Sequence, residues 1–240
     1  MKKTIFKIAL MGVMASLLGA CGGAGVSTSE GDKVYKIGVV QFADHPSLDN
    51  CRDGFIQGLK NKGYEEGKNI EVDFQSAQAD GAMNTQIAQS FSAGKDLVCG
   101  IATPSAQALY AACFEKKIPV IFNAVSDPIA AGLAISEQEP MEGVTGVSDL
   151  LPVEAQLKLI RAILPNAKKI GIIYTTSEAN SVSTIETYKK LAPDFGFEII
   201  ERGIAKQAEV TQAADVILNE VDCISNLTDN TVVDALAAVL

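Results

Sequence analysis

Tryptophan is absent from this 240-residue chain, and histidine occurs once, at His45. A single histidine with no cysteine pair beside it lacks metal-ligand spacing, so neither a metal site nor a cofactor is expected. Five cysteines are present but none forms a C-x-x-C pair, which argues against zinc ribbons and dithiol redox centres. There is no P-loop, no G-x-S-x-G and no complete G-x-G-x-x-G, so the usual phosphate cradles and serine-hydrolase elbow are missing. Basic residues are outnumbered 20 to 29, giving a net charge of −9. A chain of that sign is a poor match for phosphate backbones, and no nucleic-acid partner is expected. Beyond residue 20, no apolar run approaches the roughly 20 residues needed to cross a bilayer.

What is present begins at the N-terminus. Lys2, Lys3 and Lys7 precede an apolar stretch at 8–18 that is too short to span, followed by Gly19, Ala20 and Cys21. This is the pattern of a secretory signal peptide over residues 1–20. Leu18-Gly19-Ala20-Cys21 resembles a bacterial lipobox, which implies cleavage before Cys21 and its acylation. The Gly- and Ser-rich stretch 21–34 reads as a flexible tether. The expected location is therefore the extracytoplasmic face of a bacterial cell membrane, with a lipid anchor at Cys21. Removing the three lysines takes the net charge from −9 to −12. Such a surface is repelled by anionic lipid, so the anchor and not the surface would hold the protein there.

The remaining chain says one thing twice. Lys36-Ile37-Gly38-Val39-Val40 returns as Lys169-Ile170-Gly171-Ile172-Ile173. Cys99 to Ala106 has a looser echo in Cys223 to Asn230. Apolar periodicity gives the same order of elements in both copies. In the first, strands are expected at 35–41, 70–75, 96–101, 119–124 and 144–147, with helices at 48–62, 83–91 and 104–114. A helix at 152–164 leads to the second copy, with strands at 169–174, 197–203 and 222–226. Its helices are expected at 181–191, 209–219 and from 230 onward. Alternation of this kind means an α/β fold with parallel sheets and right-handed crossovers. The expected organisation is two doubly wound lobes, 35–148 and 149–240. The second has only three strands and ends in an apolar helix, so it is expected to be incomplete at its C-terminus. Cys51, Cys99, Cys113 and Cys223 fall on helices and apolar strands; buried free thiols are expected over disulfides, although export would permit oxidation.

Several runs together resemble a known family. They are the opening Lys36-Ile37-Gly38-Val39-Val40-Gln41, then 101–108 (Ile-Ala-Thr-Pro-Ser-Ala-Gln-Ala), 123–128 (Asn-Ala-Val-Ser-Asp-Pro), 143–149 (Gly-Val-Thr-Gly-Val-Ser-Asp) and 177–181 (Ser-Glu-Ala-Asn-Ser). With the lipobox, they are similar to the ABC-transporter substrate-binding lipoproteins that include tryptophan- and tyrosine-binding members. That resemblance implies a type I periplasmic-binding fold, closure on a small ligand in the inter-lobe cleft, and a membrane ABC permease as partner. It implies a binding protein and no enzyme.

Chemistry narrows the candidate residues. In open α/β sheets, ligands bind beyond the carboxyl ends of the strands. Here those ends carry Gln41, Phe42 and His45, then Thr103, Ser105 and Ala106, then Ser126, Asp127 and Asp149. In the second copy they carry Tyr174, Asn180, Asn226, Thr228, Asp229 and Asn230. Residues 103–106 open a helix whose free N–H groups suit a carboxylate, while Thr103 or Ser105 would serve as a cap instead. Asp127, Asp149 and Asp229 are the candidate acceptors for an ammonium group, or else turn and capping residues. Phe42 and Tyr174 fall at nearly matching places in the two copies and would stack on an aromatic ligand from opposite sides. His45, ahead of Pro46 and the expected N-cap Ser47, either lines the cleft or forms the turn. An aromatic amino acid is the expected ligand. The competing class is an exported α/β enzyme or a ligand-sensing module using the same cleft. No nucleophile–base pair supports the enzyme.

Overall fold

The computed structural model describes residues 33–239, so the signal, the tether and Cys21 lie outside the described residues. Five strands form a parallel sheet, β1 (Tyr35–Gln41), β2 (Ile70–Ser76), β3 (Leu97–Ile101), β4 (Val120–Val125) and, after a short hairpin, β7 (Val144–Ser148). Their spatial order is β2-β1-β3-β4-β7. The hairpin, β5 (Ala134–Ser136) with β6 (Glu139–Pro140), was not anticipated, because strands of three and two residues are too short to show a period. The crossover helices are α1 (Pro46–Asn61), α2 (Gly81–Phe91) and α3 (Thr103–Cys113). α2 and α3 pack side by side. The strand order reverses at β1, so right-handed crossovers place α1 on the opposite face.

Helix α4 (Val153–Ile163) leads to the second sheet. It comprises β8 (Lys169–Thr175), β9 (Glu198–Ile204) and β10 (Cys223–Ile224), in the parallel order β10-β8-β9. α5 (Ala179–Leu191), α6 (Val210–Ile217) and α7 (Asn230–Asp234) follow their strands in turn. The arrangement β9-β8-β10 repeats β2-β1-β3, so the internal duplication holds in three dimensions. One alignment shifts, however. Cys223 pairs with Ile170, whereas Leu97 pairs with the equivalent Ile37. Cys223 therefore takes the place of Leu97 and not of Cys99.

The repeated glycine has a packing cause. A Cβ on Gly38 would lie 2.6 Å from Phe91 Cδ2 of α2, and one on Gly171 would lie 3.0 Å from Ile217 Cδ1 of α6. In each copy a bare position on the central strand admits a large side chain from the second crossover helix. Ile170 and Ile172 on β8 face a core built with Leu157, Ile185 and Tyr188, while Ile173 faces Ala214 and Ile217 on the other side. Arg161 on α4 closes the base of this second unit. It donates to the carbonyls of Phe195, Pro165 and Ala167 at 2.8 Å each and lies 3.9 Å over the Phe197 ring.

All four described cysteines are free; Cys99 and Cys113 are buried, Cys51 and Cys223 half-buried. Burial, with Cys51 nearby, pushes the Cys99 thiol up to about 12, which makes it an inert packing group. Among the described residues, no helix is long and apolar enough to cross a membrane.

Candidate functional site

A pocket of about 630 Å³, its open mouth included, lies where the carboxyl ends of both sheets meet. Ala43 and His45 enter it from the β1–α1 turn, Ser47 and Leu48 from the first turn of α1, Thr103 from the start of α3, Ala124 from the end of β4, and Ser126 and Asp149 from beyond β4 and β7. The second sheet contributes Asn180 from α5, Leu227, Thr228 and Asp229 from the β10–α7 turn, and Asn230 and Val233 from α7. The lining combines aliphatic walls with a few polar groups, the mixture found in small-molecule sites.

Backbone strain sits at this junction. Ala102 holds φ 75° with ψ 156°, and Ala124 holds φ 54°. Non-glycine residues adopt such angles only where the surroundings impose them, commonly at binding sites. Ala102 is also the N-cap of α3, and alanine has no side chain with which to cap it. The first turn of α3 therefore begins beside the pocket with no side-chain acceptor on its N–H groups.

Asn180 supplies the complementary feature. Only 1% of it is exposed. Its Nδ2 donates to the Thr228 carbonyl at 2.8 Å, which fixes the amide, while its Oδ1 is buried without a donor. An unmet acceptor of this kind is costly unless a further group satisfies it. Asp149 lies at the pocket rim. Its carboxyl is pushed up by the protein packed around it, against the stabilising bond from Ser126.

The structure gives the remaining expected residues other work. Gln41 is fully buried beneath the pocket, its Nε2 donating to Ala43 O at 2.8 Å and Asp49 Oδ1 at 3.0 Å. Phe42 is buried and turns toward a second cleft beside Gln78, Pro104 and Glu178. Tyr174 is half-buried in the core of the second sheet, against Gly203. Strand alternation turns Tyr174, within β8, onto a sheet face, while Phe42 is the first residue past β1. The expected pair of stacking rings does not form, and the apolar pocket walls are Leu48, Leu227 and Val233. Ser105 is fully buried, and its hydroxyl donates to Asn84 Oδ1 at 2.8 Å, away from the pocket. Ala106 is packed against Gly100, where only a glycine leaves room for the α3 backbone. Asn226 is half-buried and does not line the pocket.

Asp127 and Asp229 are occupied as well. Asp127 Oδ1 accepts the N–H groups of Ile129 and Ala130 at 3.1 and 2.9 Å, and Oδ2 accepts from Ser183 Oγ. Asp229 is fully buried and accepts from Thr175 N, Thr175 Oγ1, Ser181 Oγ and Val232 N at 2.6–2.8 Å. Its carboxylate is saturated by donors, so it joins β8, α5 and α7 and has little left for a ligand. His45 does both things considered for it. It lines the pocket and is also the N-cap of α1, its Nδ1 accepting from Ser47 N at 3.2 Å. The cap is thus His45 and not Ser47.

Sequence reasoning missed Glu178, which is 2% exposed. It accepts from Asn230 Nδ2 at 2.6 Å and from Thr231 N and Oγ1 at 3.1 and 3.0 Å, holding the first turn of α7. Burial, and then the charge of Asp229, push its carboxyl up. The aliphatic walls were missed too, because leucine and valine carry no signature apart from core residues.

A family model described as ABC transporter substrate binding protein matches residues 36–240. A tyrosine-binding protein of Clostridioides difficile strain R20291 is 40% identical over 246 residues, spanning 99% of this chain and 71% of that protein. A solved conserved domain protein of Vibrio cholerae superposes with a TM-score of 0.82 at 45% identity, covering 86% of this chain and 71% of that one. A Streptococcus pneumonia ABC domain in complex with L-Trp gives 0.82 at 38% identity, covering 86% and 70%. The ligand-free, open structure of a Clostridium difficile substrate-binding protein with adhesive properties gives only 0.59, at 40% identity and the same coverage, 86% and 70%.

Proposed function

The chain belongs to the ABC transporter substrate-binding protein family, and on that premise we propose that it captures an aromatic amino acid for an ABC permease. One observation carries the reading: the buried, donorless Asn180 Oδ1 and the uncapped start of α3 line one pocket from opposite sides. A zwitterion has the two charges that these features lack. Its carboxylate would take the N–H groups at the start of α3 and the Thr103 hydroxyl, helped by the positive end of the helix dipole. Its ammonium would donate to Asn180 Oδ1 and to Asp149. Its side chain would lie among Leu48, Leu227 and Val233, with the His45 imidazole at the edge. His45 Nδ1 is engaged with Ser47 N, so the other ring nitrogen is the one free to face a ligand.

Support for the aromatic class comes from the relatives, one named for tyrosine and one solved with L-Trp. The protein would bind without chemistry: the one histidine serves as a helix cap, and no nucleophile is held by it. It would be anchored through acylated Cys21 outside the cell membrane, which keeps it close to its permease. Titration calorimetry with the twenty amino acids tests the reading. Tyrosine or tryptophan should bind at least tenfold more tightly than alanine, since a buried ring contributes about 1.5–3 kcal/mol. Binding of a sugar or inorganic anion, with no amino acid bound at millimolar concentration, would overturn the ligand class.

A further inference from the structure

Among the described residues, two side-chain hydrogen bonds join the loops of the first sheet to the second sheet's loops and helices. Ser126 Oγ and Thr228 Oγ1, 2.6 Å apart, meet within the pocket wall. The other bond, from Ser183 Oγ to Asp127 Oδ2, lies outside it, since neither residue lines the pocket.

Both partners of the outer bond are fixed before they meet. The turn 127–131 is tied to Asp127 Oδ1 through the N–H groups of Ile129 and Ala130, and Gln107 Nε2 of α3 holds the Ala131 carbonyl at 3.0 Å. Ser183 stands on α5 between buried neighbours Ser181, Thr184 and Ile185. α3 and α5 pack against each other at this seam. Little side-chain freedom is left to lose when the bond forms.

We propose that Asp127 and Ser183 form a latch that sets ligand affinity from outside the pocket. The proposal rests on the reading of the pocket as a ligand site. The bond exists only when the two sheets approach as they do here, so it favours that arrangement without touching the ligand. Apparent affinity scales with the fraction of molecules in the binding-competent arrangement. Each fold lost from that fraction is a fold lost from affinity, with no change in the contacts to the ligand. Asp127 and Ser183 are thus positioning residues.

The test pairs a distance with an affinity. Genetically encoded labels at Gln78 and Lys206, exposed residues on opposite sides of the second cleft, report the separation of the sheets in the protein alone. In Ser183→Ala the distance distribution should shift outward. The Kd for L-tyrosine or L-tryptophan should rise about tenfold, mostly through faster release, with thermal unfolding of the free protein unchanged. Ser183→Thr, which keeps the hydroxyl, should behave as wild type. Adding Asp127→Ala to Ser183→Ala should cost little more than Asp127→Ala alone. An unchanged distribution in Ser183→Ala overturns the latch, as does weaker binding with unchanged distances. If no amino acid binds the wild-type protein, the functional reading fails while the distances still decide the latch.

Discussion

Asp222 stands in the second copy where Asp96 stands in the first. Asp96 Oδ2 accepts the N–H of Lys36 at 2.8 Å, and Asp222 Oδ2 accepts the N–H of the equivalent Lys169 at 2.8 Å. Each aspartate returns its own N–H to the carbonyl of the same lysine, at 2.7 and 2.9 Å. One carboxylate thus pins the start of the central strand to the third strand of its sheet in both halves. The Lys33 ammonium, then the Lys36 N–H, hold the Asp96 carboxyl below the ordinary value of 3.8; the N–H groups of Lys168 and Lys169 do the same for Asp222.

A pH dependence follows from those two carboxylates. A group whose folded-state pKa is depressed contributes stability above its unfolded value and loses it as pH falls through the folded one. Wild-type protein should lose stability on acidification below about pH 4, and Asp222→Asn should show a flatter loss over the same window. Urea titrations between about pH 5 and pH 2 check this. A parallel loss in both proteins would mean that the staple carries no weight.

The repeated glycines should differ in tolerance. Gly38→Ala drives a methyl into the ring of fully buried Phe91, and overpacking of that kind costs about 1–3 kcal/mol. Gly171→Ala meets the mobile end of Ile217 at 3.0 Å and should cost less. The denaturation midpoints should rank wild type, Gly171→Ala, Gly38→Ala, with an unchanged m-value.

Asn180 and Leu227 should separate recognition of the amino-acid backbone from recognition of its side chain. Asn180→Ala removes the proposed ammonium acceptor and should weaken every amino acid that binds by about 1–3 kcal/mol. Leu227→Ala opens one apolar wall and should weaken tyrosine and tryptophan while leaving small ligands nearly unaffected. Calorimetry on both variants against a short ligand series decides it. A uniform loss in Leu227→Ala would place the ring elsewhere.

Cys21→Ser should abolish incorporation of labelled palmitate and shift the protein from the membrane fraction to the soluble one. Each buried methylene of an acyl chain contributes about 0.8 kcal/mol, and two or more chains give stable attachment. Retention and labelling of the variant would remove the anchor from the proposal.

The sequence alone determined the order and type of the major elements, because period-two and period-3.6 patterns, Pro104 and the repeated K-I-G run are local signals. It also determined that the strand ends converge on residues such as Thr103, Ser126, Asp149 and Asn180, since chain order and right-handed crossovers leave few other arrangements. Only the tertiary structure decided which of these side chains are free. Ser105, Asp127 and Asp229 have the right chemistry at the right strand ends, yet Asn84, Ser183 and Thr175 come from 21, 56 and 54 residues away to occupy them. The directions taken by Tyr174, within β8, and Phe42, just past β1, were likewise settled only by the tertiary structure, since a shift of one position along a strand exchanges one face for the other. Hydrogen-bond saturation and side-chain direction depend on distant partners, and no local pattern encodes them.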